Sequence, residues 1–501
     1  MMFALVVIPL AAVVGLAVDF GRAYAVRSQT QSALDAAALA AGRVAQVDAD
    51  IGKASAAATA YFERGKPKGV VRSTMQFSPN SQNTAFTVTA TSWVRTPFLG
   101  ALNILFNKTS LGGAPGVCQG SYFNCAMVVT TATSELKAGG DGGSNIEVSL
   151  MLDVTGSMCT PCTKIDDAKD AAKDLIDIVI WQDQSQYTSK IALAPFADAV
   201  NVGTARGNAL RGPITANNQT GSGSSGPQTF SCSDMSSTSV QPTKTWIKFP
   251  RTTSSCNSSS STSTYRVSTK CVTERIGAQA LTDAAPAGTS TYLGKGYFGT
   301  NDTTCAVASN YGDAEINTIQ PLSNDKTMLK RRIDKLETGG STAGHLGTAW
   351  AWYLLSPKWN TVLTSTAGPY SDLTSVNAKG APKLRKIAVL LTDGEYNINY
   401  CKGVEAKNSD QSPDINCNSE NGKSLAQATS LCTALKNPLG TSNAAKIEVF
   451  TVGFQVTNAS KTFLKSCATD ASHFYDASTG DALKAAFRDI ALKISTLRLT
   501  N

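Results

Sequence analysis

The run Ile146-Glu147-Val148-Ser149-Leu150-Met151-Leu152 breaks off into Asp153-Val154-Thr155-Gly156-Ser157, and this junction constrains the fold more than any other stretch. A short, nearly continuous apolar run reads as a strand buried on both faces, the pattern of a parallel sheet covered by helices. The loop after it is chemically specific. Asp153, Thr155 and Ser157 set a carboxylate and two hydroxyls at alternating positions, and Gly156 lets the backbone turn tightly, so one turn aims all three at one point. Such oxygens suit a hard divalent cation, which for Mg²⁺ takes about six of them. The same residue types also favour helix N-caps, so this loop alone does not decide the matter.

Two later segments extend the pattern. Gly339-Gly340-Ser341-Thr342 opens a helix-like run from Ala343 to Leu355. Lys386-Ile387-Ala388-Val389-Leu390-Leu391-Thr392 is a second apolar strand, and it too ends in an acid, Asp393-Gly394. Strand, helix and strand in this order predict a doubly wound α/β sheet, whose loops converge at the carboxyl ends of the strands. Thr163 to Ile180 fits an amphipathic helix, with Ile165, Ala168, Ala172, Leu175, Ile176 and Val179 on one face. Strands are expected at 191–196, 319–322 and 446–453, and helices at 326–336, 424–435 and 481–494.

This combination resembles the von Willebrand factor A family and its metal-ion-dependent adhesion site. The resemblance covers roughly residues 146–497, with insertions at 201–316 and 396–421. It implies Asp153, Thr155 and Ser157 as the first group of metal ligands, Thr342 as the second and Asp393 as the third. It implies Mg²⁺ or Mn²⁺ rather than Ca²⁺, and a protein partner that presents a Glu or Asp carboxylate to the ion. Thr155 stands where the family more often has Ser, and either hydroxyl can ligate.

Met1 to Val18 carries no charged side chain. It approaches the length of a membrane-spanning helix, and Pro9 is tolerated in such a helix. A retained transmembrane anchor over residues 1–20 is the reading. A cleaved secretory signal competes, with Ala23-Tyr24-Ala25 as its A-x-A string, but no basic segment precedes the apolar run. Next come Asp19-Phe20-Gly21-Arg22-Ala23-Tyr24 and the Ala-rich Ser32-Ala33-Leu34-Asp35-Ala36-Ala37-Ala38-Leu39-Ala40-Ala41-Gly42. These look like the N-terminal region of TadE/TadG-like Flp pilus-assembly proteins. That resemblance implies a single-pass protein of the cell membrane that works with pilus-assembly or envelope proteins. A helix continuing over 44–65, strands at 69–71, 85–91 and 127–131, and a short helix at 96–106 would make residues 21–138 a small α+β, pilin-like region. A Gly-rich linker at 139–145 then leads to the von Willebrand A region, 146–501.

The net charge of +8 is scattered, with no long Lys/Arg block, which argues against nucleic acid as a partner. Twelve cysteines accompany only two histidines, His345 and His473, neither beside a Cys pair. Zinc sites are therefore disfavoured, and disulfides in an oxidising compartment are expected. This places the C-terminal bulk in the periplasm or at the cell surface. The positive-inside count runs the other way, because Arg22 and Arg27 flank the anchor's C-terminal end. Cys118–Cys125 and Cys401–Cys417 are near pairs. Cys159-Thr160-Pro161-Cys162 reads either as a disulfide bracing the metal loop or as a redox-active dithiol at a helix N-terminus. By composition the 201–316 insertion reads as disordered, unless Cys232, Cys256, Cys271 and Cys305 staple it into a lobe. His345 lies just beyond Thr342, and either an approach to the metal face or packing suits it. The sequons at Asn107 and Asn301 matter only in a eukaryotic secretory setting.

No G-x-S-x-G elbow and no P-loop is present, and no catalytic residue is assigned. The leading function is a membrane-anchored, metal-dependent adhesion or assembly component of a Flp/Tad pilus system, not an enzyme. A thiol-disulfide oxidoreductase using Cys159 and Cys162, and a purely structural pseudopilin-like protein, stay open beside it.

Overall fold

The computed structural model describes residues 2–47, 51–80, 85–98, 125–135, 143–181, 184–213, 228–229, 246–250, 262–299, 315–378, 380–411, 415, 417–440, 446–494 and 498–500. The chain divides into two compact units, Met1–Asp141 with Thr496–Asn501, and Gly142–Ser495.

In the first unit, α1 (Met2–Val47) and α2 (Ile51–Gly65) pack through small residues. Ala33, Leu34, Ala37, Ala38 and Ala41 of α1 are buried, as are Ala54, Ala58 and Phe62 of α2. Alanine combines high helix propensity with a side chain small enough for close approach. The strands β1 (Arg72–Pro79), β2 (Ala85–Arg95) and β3 (Cys125–Glu135) form an antiparallel sheet, joined by the C-terminal strand Arg498–Thr500 on β3. Every second residue of β2 is buried, from Phe86 to Val94, and this face lies on α1. The strand expected at 69–71 begins instead at Arg72, because Gly69 takes a positive φ of 82° and breaks extended pairing.

Among the described residues no helix is long and apolar enough to cross a membrane. The side chains of residues 1–12, which hold most of the apolar run, lie outside the described residues, as do Cys118, Asn107, Cys232, Cys256, Cys305, Asn301, residues 99–106 and most of the Gly-rich run.

In the second unit, β4 (Asn145–Asp153), α3 (Thr163–Val179), β5 (Ser189–Phe196), β6 (Gln320–Ser323), α4 (Lys326–Asp334), α5 (Gly344–Tyr353), β7 (Leu384–Thr392), α6 (Ser424–Lys436), β8 (Glu448–Phe454), α7 (Asn458–Cys467), β9 (Phe474–Ala477) and α8 (Gly480–Ile494) succeed one another along the chain. The six-stranded sheet runs β6-β5-β4-β7-β8-β9. All pairs are parallel except β6 on β5. Helices α3, α4 and α8 pack together, and α5, α6 and α7 form a second group, as the two covering layers of a doubly wound sheet should. With both faces covered, β4 and β7 are buried almost throughout, which is why their sequences are continuous apolar runs rather than alternating ones.

The disorder expected of the 201–316 insertion is corrected for its described parts. Strands at 246–250, 262–273 and 294–299 pair antiparallel, and Leu210, Val272 and Leu293 join the main core. Polar docking holds the insertion beside these apolar contacts, and a composition average conceals it. The buried Asp283 accepts hydrogen bonds from Ser356 Oγ (2.6 Å), Tyr370 OH (2.7 Å) and Lys358 Nζ (2.6 Å), and its carbonyl accepts one from Trp359 Nε1 (3.0 Å). Such charge-assisted bonds anchor the segment alongside its buried apolar side chains.

Cys401 and Cys417 are disulfide-bonded, closing the second insertion. A bridge that spacing had not picked out, Cys432–Cys467, ties α6 to α7 across 35 residues. Cys125 and Cys271 each take part in a further, separate disulfide. Replacing Cys432 and Cys467 together by Ser is expected to cost about 3–4 kcal/mol, because the unfolded chain regains the entropy of an open loop. Urea unfolding under non-reducing conditions measures this, and a loss below about 1 kcal/mol would contradict it.

Candidate metal centre

The strand order reverses between β4 and β7, so the loops leaving their carboxyl ends diverge and open a crevice. Both acids predicted from sequence stand there, Asp153 as the last residue of β4 and Asp393 as the first after β7. The register pairs Leu152 with Leu391, which sets Asp153 beside Thr392. Thr392 Oγ1 donates to Asp153 Oδ2 at 2.7 Å. Asp153 Oδ1 accepts from the Thr155 amide (2.9 Å) and hydroxyl (2.6 Å), which folds the Asp-x-Thr-x-Ser turn back on its own carboxylate. Thr155 Oγ1 lies 2.9 Å from Ser157 Oγ, and Ser157 Oγ donates to Asp393 Oδ1 at 2.6 Å. Asp393 Oδ2 accepts from Lys164 Nζ at 2.9 Å. Asp153, Thr155, Thr342 and Asp393 are buried, while Ser157 is exposed, so the site opens to solvent on the Ser157 side.

Thr342 arrives on the glycine loop, which is clipped to the Asp153 loop by two backbone bonds, Gly156 N to Gly340 O and Gly339 N to Val154 O, both 2.9 Å. Gly340 has a φ of +75°, and a Cβ there would collide with the Asp198 carboxylate, so two requirements demand glycine. Asp198 in turn accepts from the Ser341 amide at 2.5 Å. Asn397 holds Thr342 from both sides, accepting its amide (2.9 Å) and donating to its carbonyl (3.0 Å). The result is close convergence. A Cβ on Gly394 would lie 3.3 Å from Thr342 Oγ1 and 3.7 Å from Ser157 Oγ, so three loops meet within a few ångströms.

All five sequence-predicted residues, Asp153, Thr155, Ser157, Thr342 and Asp393, thus lie together. Thr392, Lys164, Asp198 and Asn397 were missed. Thr392 carried a local signal, a hydroxyl directly before Asp393 at the end of the same apolar strand. The others depend on contacts distant in sequence. His345 is not at this site. It is buried on α5, with Nδ1 2.7 Å from Ser424 Oγ and Nε2 2.6 Å from Glu274 Oε2. His473 pairs with Asp470 near the surface. Cys159 and Cys162 are disulfide-bonded at the entry to α3. Among the described residues no group of three or more His, Cys, Asp or Glu side chains gathers as a metal site. The donor set here is instead two carboxylates and three hydroxyls.

Burial, and then the charge of Asp393, push the Asp153 carboxyl from 3.8 up to about 6, against the hydrogen bonds from Thr155 and Thr392 that favour its ionised form. The pair is therefore short of positive charge, even with Lys164 on Asp393.

The sheet order and the three converging loops define the second unit as a doubly wound, mostly parallel α/β domain with a cluster of oxygen donors at the carboxyl ends of its central strands. Residues 1–46 match the family model described as putative Flp pilus-assembly TadE/G-like. No curated protein matches the chain significantly. Among solved structures, the chain is similar to the von Willebrand domain of the type V pili tip protein Mfa5 from Porphyromonas gingivalis, at 11% identity and a TM-score of 0.34, over 70% of this chain and 95% of that one. It is similar to the pilus adhesin SpaC from Lactobacillus rhamnosus GG at 10% identity and a TM-score of 0.32, over 84% of this chain and 34% of that one. The chain thus spans about a third of SpaC's length. A von Willebrand factor type A protein from Catenulispora acidiphila matches at 12% identity and a TM-score of 0.29, over 84% and 50% of the two chains.

Proposed function

We propose that this protein is a membrane-anchored, non-enzymatic binding component of a Flp/Tad-type pilus system, and that its von Willebrand A unit binds a protein partner through a divalent cation, Mg²⁺ or Mn²⁺. The observation that carries this reading is the meeting of the Thr155, Ser157 and Thr342 hydroxyls with two buried carboxylates at the reversal of the strand order. The donors fit such an ion. They are all oxygens, and the raised Asp153 carboxyl marks a buried pair of carboxylates with one ammonium, Lys164, to balance them. When bound, the ion supplies Lewis acidity toward a Glu or Asp carboxylate of the partner. Ser157, Thr155 and Thr342 would hold it by their hydroxyls, with Asp153 and Asp393 balancing its charge. With so few charged donors in the set, the ion keeps its appetite for an incoming carboxylate. The Cys159–Cys162 disulfide braces the loop beside Ser157. The apolar run at 1–18 anchors the chain, with the second unit in the periplasm or at the cell surface.

The test is calorimetric titration of Mg²⁺ and Mn²⁺ into the full-length protein across pH. Asp153 must lose its proton to take a cation, so the expected affinity falls about tenfold per pH unit below about 6 and levels off above it. Absence of saturable binding at pH 7.5 would sink the reading.

A further inference from the structure

Lys164 stands in the first turn of α3, and its ammonium donates to Asp393 Oδ2 at 2.9 Å. This is not a surface pairing. The Lys164 side chain is 12% exposed and that of Asp393 is fully buried. Asp393 Oδ1 meanwhile accepts from Ser157. The carboxylate thus spends one oxygen on the loop hydroxyl and the other on an amine of its own chain. A buried carboxylate must be paired, and an amine is the partner this chain supplies.

We propose that Lys164 is the resident counter-cation of the adhesion site, occupying Asp393 until a divalent cation takes over its charge balance. This rests on the cation-binding reading above. Its consequence is an affinity set low by design. Any incoming cation must outcompete a monovalent charge already hydrogen-bonded to one of the two carboxylates. In return, the metal-free loops stay closed, because Lys164 ties α3 to the end of β7 while Ser157 ties the Asp153 loop to the same carboxylate. The placement is selective within α3. Lys169, further along the helix, gives its ammonium to the Asp334 carbonyl at 3.2 Å and Lys173 pairs with Asp334, so neither reaches the site.

The experiment compares full-length wild type, Lys164→Met, Lys164→Arg and Lys169→Met by Mg²⁺ calorimetry and by thermal unfolding in chelator and in saturating Mg²⁺. Lys164→Met keeps most of the stem's packing and removes only the charge. The expected result is Mg²⁺ binding tighter by on the order of tenfold in Lys164→Met, the loss of a charge-assisted competitor. Its melting temperature should fall in chelator yet reach that of wild type in saturating Mg²⁺. Lys164→Arg should restore wild-type affinity and Lys169→Met should leave it unchanged, which separates an occupant of the site from net charge. Equal affinities in wild type and Lys164→Met, or weaker binding in the variant, would overturn the proposal and leave the cation-binding reading standing. No binding in any of the proteins would overturn both.

Discussion

Asp153→Asn is expected to make the metal-free protein more stable at pH 7.5 and to abolish its response to Mg²⁺. The two effects share one cause. Asp153 is 1% exposed and sits beside Asp393, and together burial and repulsion hold its carboxyl near 6 instead of 3.8. The folded state therefore holds a proton that the unfolded chain has already released. A raised carboxyl contributes its full stability below the unfolded value, about 4, and that contribution is lost as pH rises through about 6. Metal-free wild type should accordingly weaken between about pH 4 and 6, and by pH 7.5 it has lost about 2–3 kcal/mol relative to a neutral side chain there. Asparagine is that neutral side chain. Its carbonyl can still accept from Thr155, and its amide can donate to Thr392 Oγ1, so the loop keeps its shape. Urea unfolding in chelator should rank Asn above wild type at pH 7.5 and level with it near pH 4. Added Mg²⁺ should then raise the stability of wild type only. A variant less stable than wild type in chelator at pH 7.5, and still stabilised by Mg²⁺, would refute both halves.

How much of the fold and site was legible in the sequence depended on the range of each interaction. The Asp153 turn and the two apolar strands are local patterns, so strand, acid and hydroxyl spacing could be read directly. The sheet order then put both acids at one crevice without needing any side-chain contact. Lys164 could not be read, because its pairing to Asp393 spans 229 residues. Asn397 lies in a segment that reads only as an insertion, although it positions Thr342. The insertion's docking through Asp283 was obscured because a composition average counts apolar area and misses a few buried, charge-assisted bonds. Helix α7 and strand β9 were passed over because they are short and half polar, and the core of β8 and the Cys432–Cys467 bridge hold them in place.

The largest loss of stability should come from a pair with no part in the metal site. Glu147 and Lys386 stand at the start of the apolar runs of β4 and β7. The parallel register sets them side by side in the two central strands, and their side chains are 5% and 0% exposed. Lys386 Nζ donates to Glu147 Oε2 and to the Leu355 carbonyl (2.8 Å), and lies 5.7 Å from the centre of the Tyr370 ring. Glu147 Oε1 accepts from the Gly368 amide at 2.7 Å. Burial pulls the lysine below its usual range while Glu147 pulls it back up, which is the signature of a charge kept inside only by its partner. Lys386→Met keeps the volume and leaves Glu147 buried with one weak donor, so the cost is expected at about 3–5 kcal/mol. Adding Glu147→Gln removes the orphaned charge and keeps an acceptor for Gly368, and should recover most of that loss. Equilibrium unfolding of the two single variants and the double variant completes the cycle. If Lys386→Met alone stays within about 1 kcal/mol of wild type, the pair is not a buried charge pair of the kind that breaking exposes, and the register of β4 on β7 needs another explanation.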